Sequence, residues 1–220
     1  MERAGKPFEV FIVGSVKFGK STLINALLGQ LIAPTGRYPK TWCFNRYSAV
    51  DCPKPYARVL VEPGQYAATP HLQARLGQPR ESEGDLSVFH PSFDDVERLM
   101  EEEERTRESL KTANPYVSPI IEIEWQVPDR NAVLKGMRLV DTMGLNGIRE
   151  KKGHLNRLTW QFRRADAVIW VVSATNLNDA GIREQVREFR RFAKRSVLVV
   201  NRWDEVTNKE AVRQKALDLY

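Results

Sequence analysis

The segment Gly14-Ser15-Val16-Lys17-Phe18-Gly19-Lys20-Ser21 constrains this chain more than any other. It follows Phe8–Val13, a nearly unbroken apolar run (FEVFIV) of the kind found in strands buried on both faces. It leads into Ser21–Gly29, which reads as a helix stopping at a glycine. Buried strand, glycine-bounded loop and helix start together make a phosphate cradle. The two glycines let the backbone curl so that successive N–H groups point inward, and the helix start adds its positive end. Lys20 is placed to reach β- and γ-phosphates, and the Ser21 hydroxyl to ligate Mg²⁺. Gly14 to Thr22 is thus the candidate phosphate-binding stretch.

Further strand-like runs are Trp42–Val50, Ala57–Val61, Ile120–Gln126, Met137–Asp141, Ala167–Ala174 and Ser196–Val200. Helical patterns lie at 93–112, 153–164, 179–194 and 207–219, the first with Ser92 and Asp95 at capping-box spacing. Residues 63–91, rich in Pro, Gly and polar side chains, read as a surface excursion. Buried strands alternating with helices predict an α/β fold, a mainly parallel sheet with helices on both faces. The run Ile-Glu-Ile-Glu-Trp at 121–125 predicts a strand with one wet face. Its short connection to Met137–Asp141 predicts one antiparallel edge pair.

Charge and cysteine content exclude several classes. The net charge of +6 divides into +7 over residues 1–80, −9 over 81–130 and +8 over 131–220. Two basic segments around an acidic one suit a phosphate-rich ligand or an anionic surface. Two cysteines, Cys43 and Cys52, exclude a disulfide scaffold and point to a reducing cytoplasm. The longest apolar stretch is about half the roughly 20 residues a membrane span needs. No module with a nucleic-acid-binding signature is found.

Two more segments bear on the base. Asp141-Thr142-Met143-Gly144 ends the strand-like Arg-Leu-Val-Asp, where an Asp can hold a Mg²⁺-bound water and the Gly144 N–H can touch a γ-phosphate. Asn201-Arg202-Trp203-Asp204 ends another strand. A carboxylate at Asp204 can accept two hydrogen bonds from guanine N1–H and the exocyclic amine, while the Arg202 stem lies on the base face. Adenine offers no such donor pair, a mismatch of about 1–3 kcal/mol or more. Three such motifs in order, each at a strand end where α/β sheets bind ligands, favour GTP and GDP over ATP.

These residues, with Thr22–Gly29, Pro34-Thr35-Gly36…Thr41, Leu145-Asn146 and Ala165–Val168, resemble the GTPase domain of the dynamin superfamily, most closely bacterial dynamin-like proteins. The resemblance covers nearly the whole chain. It implies one domain over 1–220, with an enlarged insert at about 51–119 between the first and second switches. The chain stops 16 residues after Asp204, so the domain is expected to be incomplete at its C-terminus. Thr41 is implied as the first-switch threonine, closing over Mg²⁺ and γ-phosphate. Ser21, Thr41 and, through water, Asp141 would then be the metal ligands. Met143 stands where many relatives have Pro.

The resemblance also frames the chemistry. Leu145 occupies the position from which Ras-type enzymes orient the attacking water with Gln, so another group must act. Lys17, at the third variable position of the loop, is the candidate: a tethered ammonium where related enzymes place a monovalent cation or an internal arginine. Lys17, Lys20, Thr41 and Gly144 form the expected catalytic set. Dimerisation across the nucleotide face is implied, with the basic second switch at 145–157 suited to a contact in trans. Membrane remodelling, with peripheral membrane association through regions outside this chain, is the expected wider role. The alternatives are an Era-like switch acting on RNA or ribosomes, and a non-hydrolysing GTP-binding scaffold.

Overall fold

β1 (Phe8–Val13) is buried along all but its first residue, as its apolar run requires. The computed structural model describes residues 6–15, 17–35, 43–109, 118–130, 134–142, 164–177, 180–190 and 195–220. After β1 come α1 (Lys20–Leu28), β2 (Phe44–Val50), β3 (Tyr56–Val61), α2 (Pro63–Tyr66), α3 (Pro70–Leu76), β4 (Glu81–Glu83) and β5 (Leu86–Phe89). Then follow α4 (Phe93–Ser109), β6 (Ile120–Pro128), β7 (Met137–Asp141), β8 (Ala167–Ser173), α5 (Ala180–Arg190), β9 (Ser196–Asn201) and α6 (Lys209–Leu219). The fold is α/β, as expected, and its strand pairing is mixed. No helix among the described residues is long and apolar enough to cross a membrane. The helix expected at 153–164 lies outside the described residues.

The chain forms two units, Met1–Trp42 with Gly136–Tyr220, and Cys43–Lys135. In the first, the strand order is β7-β1-β8-β9 and every pair is parallel. Phe11, Ile12 and Val13 are fully buried at its centre, with Val168 and Trp170 beside them. Helix α1 buries Lys20, Ile24, Asn25 and Leu28, one face at helical spacing. It stops at Gly29, whose φ of 67° lets the chain turn left-handed and return its N–H to Ala26 O. β9 is outermost in this unit, and its Val197 is 57% exposed.

In the second unit the order is β4-β5-β3-β6-β2. β2 and β6 are parallel, while β3–β6, β3–β5 and β4–β5 are antiparallel. This corrects the single antiparallel edge pair expected between the Ile120 and Met137 strands. β6 has β2 on one side and β3 on the other, so neither edge is left for β7, which pairs in parallel with β1 in its own unit. The wet face expected of β6 is also corrected. Glu122 and Glu124 are buried and ion-paired, Glu122 with Arg46 of β2 and Glu124 with Arg58 of β3. Alternation predicts which residues share a face but not what closes over it.

The opposite face of β6 carries the apolar core, where Trp125 stacks at 6.3 Å on Tyr47 and meets Phe93 of α4 at 5.2 Å. The Trp125 indole N–H donates to Asn45 Oδ1 at 2.9 Å, so its polar tip is satisfied in the core. One half of the expected capping box is seen: Asp95 N donates to Ser92 Oγ at 3.2 Å, while the Asp95 carboxylate accepts from the Ser92 hydroxyl, Oγ to Oδ2 at 2.5 Å. The excursion at 63–91 holds two short proline-started helices, α2 and α3, and the β4–β5 hairpin turning at Gly84 (φ 59°).

Candidate functional site

The glycine-bounded loop joins β1 to α1 within the first unit. Gly14 and Gly19 are needed for different reasons. No left-handed φ occurs at Gly14; its lack of a side chain admits β8. A Cβ there would lie 2.2 Å from the Val171 carbonyl oxygen, inside any real contact. Gly19 has φ 92°, and a Cβ on it would meet Asn201 Nδ2 at 2.3 Å. Lys17 takes a left-handed φ of 67° without being glycine. Lys20 is buried, and its ammonium donates to Gly14 O at 3.0 Å and Ser15 O at 3.2 Å. Burial lowers its pKa below the usual 10.5, and nearby Asp141 pulls it back up. A bound phosphate could replace those two carbonyls as partner of the ammonium.

At the end of β7, Asp141 is fully buried and its Oδ2 accepts from Ser21 Oγ at 3.3 Å. Hydroxyl and carboxylate are hard oxygen donors of the type Mg²⁺ takes, so the pair fits that ion. Thr142, beside it, ties the strand end to β1: its N–H and its hydroxyl both donate to Ile12 O, at 3.3 and 3.0 Å. β9 delivers the third motif. Asn201 Nδ2 donates to Phe18 O at 2.9 Å, and Arg202 Nη2 to Lys17 O at 3.1 Å. Asp204 is exposed, within the 3₁₀ turn Trp203–Glu205.

The fold thus brings Gly14, Ser15, Lys17, Phe18, Gly19, Lys20, Ser21, Asp141, Asn201 and Arg202 to one end of a parallel sheet, with Thr22 exposed on the first turn of α1. Val16, Thr41, Met143, Gly144, Leu145 and the 145–157 segment lie outside the described residues. Three contributors were missed in the sequence. Asn25 holds the chain after α1 through bonds with Ile32 N, Ala33 N and Ala33 O, at 2.9, 2.7 and 2.9 Å. A polar residue amid Leu-Ile-Asn-Ala-Leu-Leu was the available signal. Thr142 was read only as part of the Asp141–Gly144 motif, and Val171 carried no signal that local pattern could read.

A family model describing the dynamin family matches residues 10–203. The chain belongs to the dynamin family. Two solved structures of an oligomerised bacterial dynamin pair, described as a mechanism for long-range sensing and tethering of membranes, share this dynamin-family fold. One aligns at TM-score 0.63 and 17% identity over 97% of this chain and 29% of its own. The other aligns at 0.59 and 16%, over 98% and 29%. A tRNA modification GTPase, MnmE of Ruegeria sp. (strain TM1040), is 36% identical over 91 residues, 40% of this chain and 21% of MnmE. The dynamin-family chain therefore spans under a third of the length of these relatives. It is a GTPase domain by family.

Proposed function

We propose that this domain binds GTP and GDP with Mg²⁺ and hydrolyses GTP, acting as the nucleotide-driven part of a membrane-remodelling protein. One observation carries the reading: Asn201 and Arg202 at the end of β9 are hydrogen-bonded to the Phe18 and Lys17 carbonyls of the phosphate loop. This ties the segment that would select guanine to the loop that would hold its phosphates, and Asp204, in the turn that follows Arg202, would be the acceptor for the guanine donors. Residues 1–220 are read as one GTPase domain with an insert at about 51–119 between its switches.

In this mechanism Gly14 to Thr22 surrounds the phosphates and Lys20 exchanges its two loop carbonyls for phosphate oxygens. Ser21, Thr41 and, through water, Asp141 would hold Mg²⁺, which when bound neutralises phosphate charge. The Gly144 N–H would contact the γ-phosphate. Water attacks the γ-phosphorus and the bond to the bridging oxygen breaks, leaving GDP and phosphate. Lys17 supplies a preorganised positive charge where negative charge builds on the phosphates. By analogy with one oxyanion donor, that charge is worth about 2.7–4 kcal/mol, or roughly 10²–10³ in rate.

Calorimetry with magnesium-loaded GTP and ATP analogues tests the reading. Heat with the guanine nucleotide and none with the adenine one supports it; no heat, or no preference, removes it. Single-turnover hydrolysis by Lys17→Ala at unchanged rate, with binding retained, removes Lys17 from the chemistry. The resemblance also supports a homodimer across the nucleotide face, tested by sedimentation with GDP and aluminium fluoride. A cytoplasmic protein with peripheral membrane attachment through other regions is the corresponding whole. The partial match to MnmE favours a second reading, a GTP switch acting on RNA. Turnover stimulated by RNA but not by anionic liposomes would select it.

A further inference from the structure

Among the described residues, two that are not glycine have a left-handed φ: Lys17 at 67° and Arg202 at 58°. They are hydrogen-bonded to each other across 185 positions of chain, Arg202 Nη2 to Lys17 O at 3.1 Å. Residues held in that region persist where their surroundings fix them, and they gather at functional sites. The left-handed Arg202 opens the 3₁₀ turn Trp203–Glu205, and Glu205 N donates to Arg202 O at 3.2 Å to close it. Glu205 therefore stands beside Arg202, with Oε2 3.6 Å from Nη1. One planar guanidinium thus faces two partners from two nitrogens, a loop carbonyl and a carboxylate. A lysine ammonium is a point charge without that fixed fork.

We infer that Glu205 is a positioning residue for guanine-nucleotide binding, anchoring Arg202 across the Lys17 carbonyl so that the base-reading turn and the phosphate loop stay aligned. The inference rests on the guanine-nucleotide reading of this site. Glu205 acts through Arg202 alone, without itself selecting the base. The pair is 43% and 48% exposed, so its effect is modest and screened by salt.

The test is the release rate of a fluorescent GDP analogue from the 220-residue chain with Mg²⁺, at low salt and at about 1 M salt. Glu205→Gln is expected to release it about two- to fivefold faster than wild type at low salt, with the difference closing at high salt. In an Arg202→Lys background the same substitution is expected to leave release unchanged, because the lysine offers no second nitrogen to hold. Equal release by Glu205→Gln and wild type at low salt overturns the positioning role. So does an equal fold-change in the Arg202→Lys background. If wild type binds no guanine nucleotide, the functional reading fails and this role with it; wild-type binding with a silent Glu205→Gln removes only the role.

Discussion

Replacing Gly14 with alanine isolates the close approach of β1 and β8. The added Cβ would sit 2.2 Å from the Val171 carbonyl oxygen and 3.2 Å from its carbon. Both atoms are backbone of a buried strand, so no side-chain rotation relieves the contact. Loop and strand must part by about 1 Å, an overpacking whose usual cost is about 1–3 kcal/mol. The same displacement would move loop N–H groups away from where the proposed phosphates bind. Losing one hydrogen bond to a charged group costs about 1.5–3 kcal/mol, roughly 10- to 100-fold in affinity. Urea unfolding and GDP titration read the two effects. Gly64→Ala is the control: it lies in α2 with nothing within 4 Å of the new Cβ, and is expected to be neutral or to stabilise by up to about 1 kcal/mol. Gly14→Ala matching wild type within about 0.5 kcal/mol and twofold in affinity would refute the close-approach account of this glycine.

Three other outcomes follow from the geometry. Asn201→Ala removes the strap to Phe18 O, and GDP titration is expected to show about tenfold weaker binding at a net loss near 1.5 kcal/mol; unchanged affinity would count against the strap. Ser92→Ala removes the cap of α4 and is expected to lower unfolding stability by about 1 kcal/mol, while GDP affinity stays at the wild-type value. Lys20 gives a pH dependence. Burial lowers its pKa in the folded chain below the unfolded 10.5, so between those values the unfolded state binds more protons and stability rises with pH. Stability relative to Lys20→Met should therefore climb as pH approaches 10.5, and a difference constant with pH would rule out the burial effect.

Much of the site was readable because its chemistry is local. The eight residues from Gly14 to Ser21, a buried strand before them and a helix after, specify a phosphate loop without reference to the rest of the chain. The Asp141 and Asn201 motifs could be placed at strand ends for the same reason. Other features depended on partners far off in sequence. Gly14 looked like a residue chosen for conformational freedom, yet what requires it is Val171 on a neighbouring strand. The alternating glutamates of β6 looked solvent-facing, but Arg46 and Arg58 on the flanking strands hold them in a buried layer.

By itself, the sequence determined the α/β class and the phosphate-loop pattern with its two companion motifs, because period, glycine placement and side-chain chemistry act over a few neighbouring residues. Tertiary structure alone decided that β6 lies between β2 and β3, and that Asn201 and Arg202 reach back to Phe18 and Lys17. Strand order and long-range hydrogen bonds arise from competition among many possible pairings. No short window of sequence contains the partners that settle it.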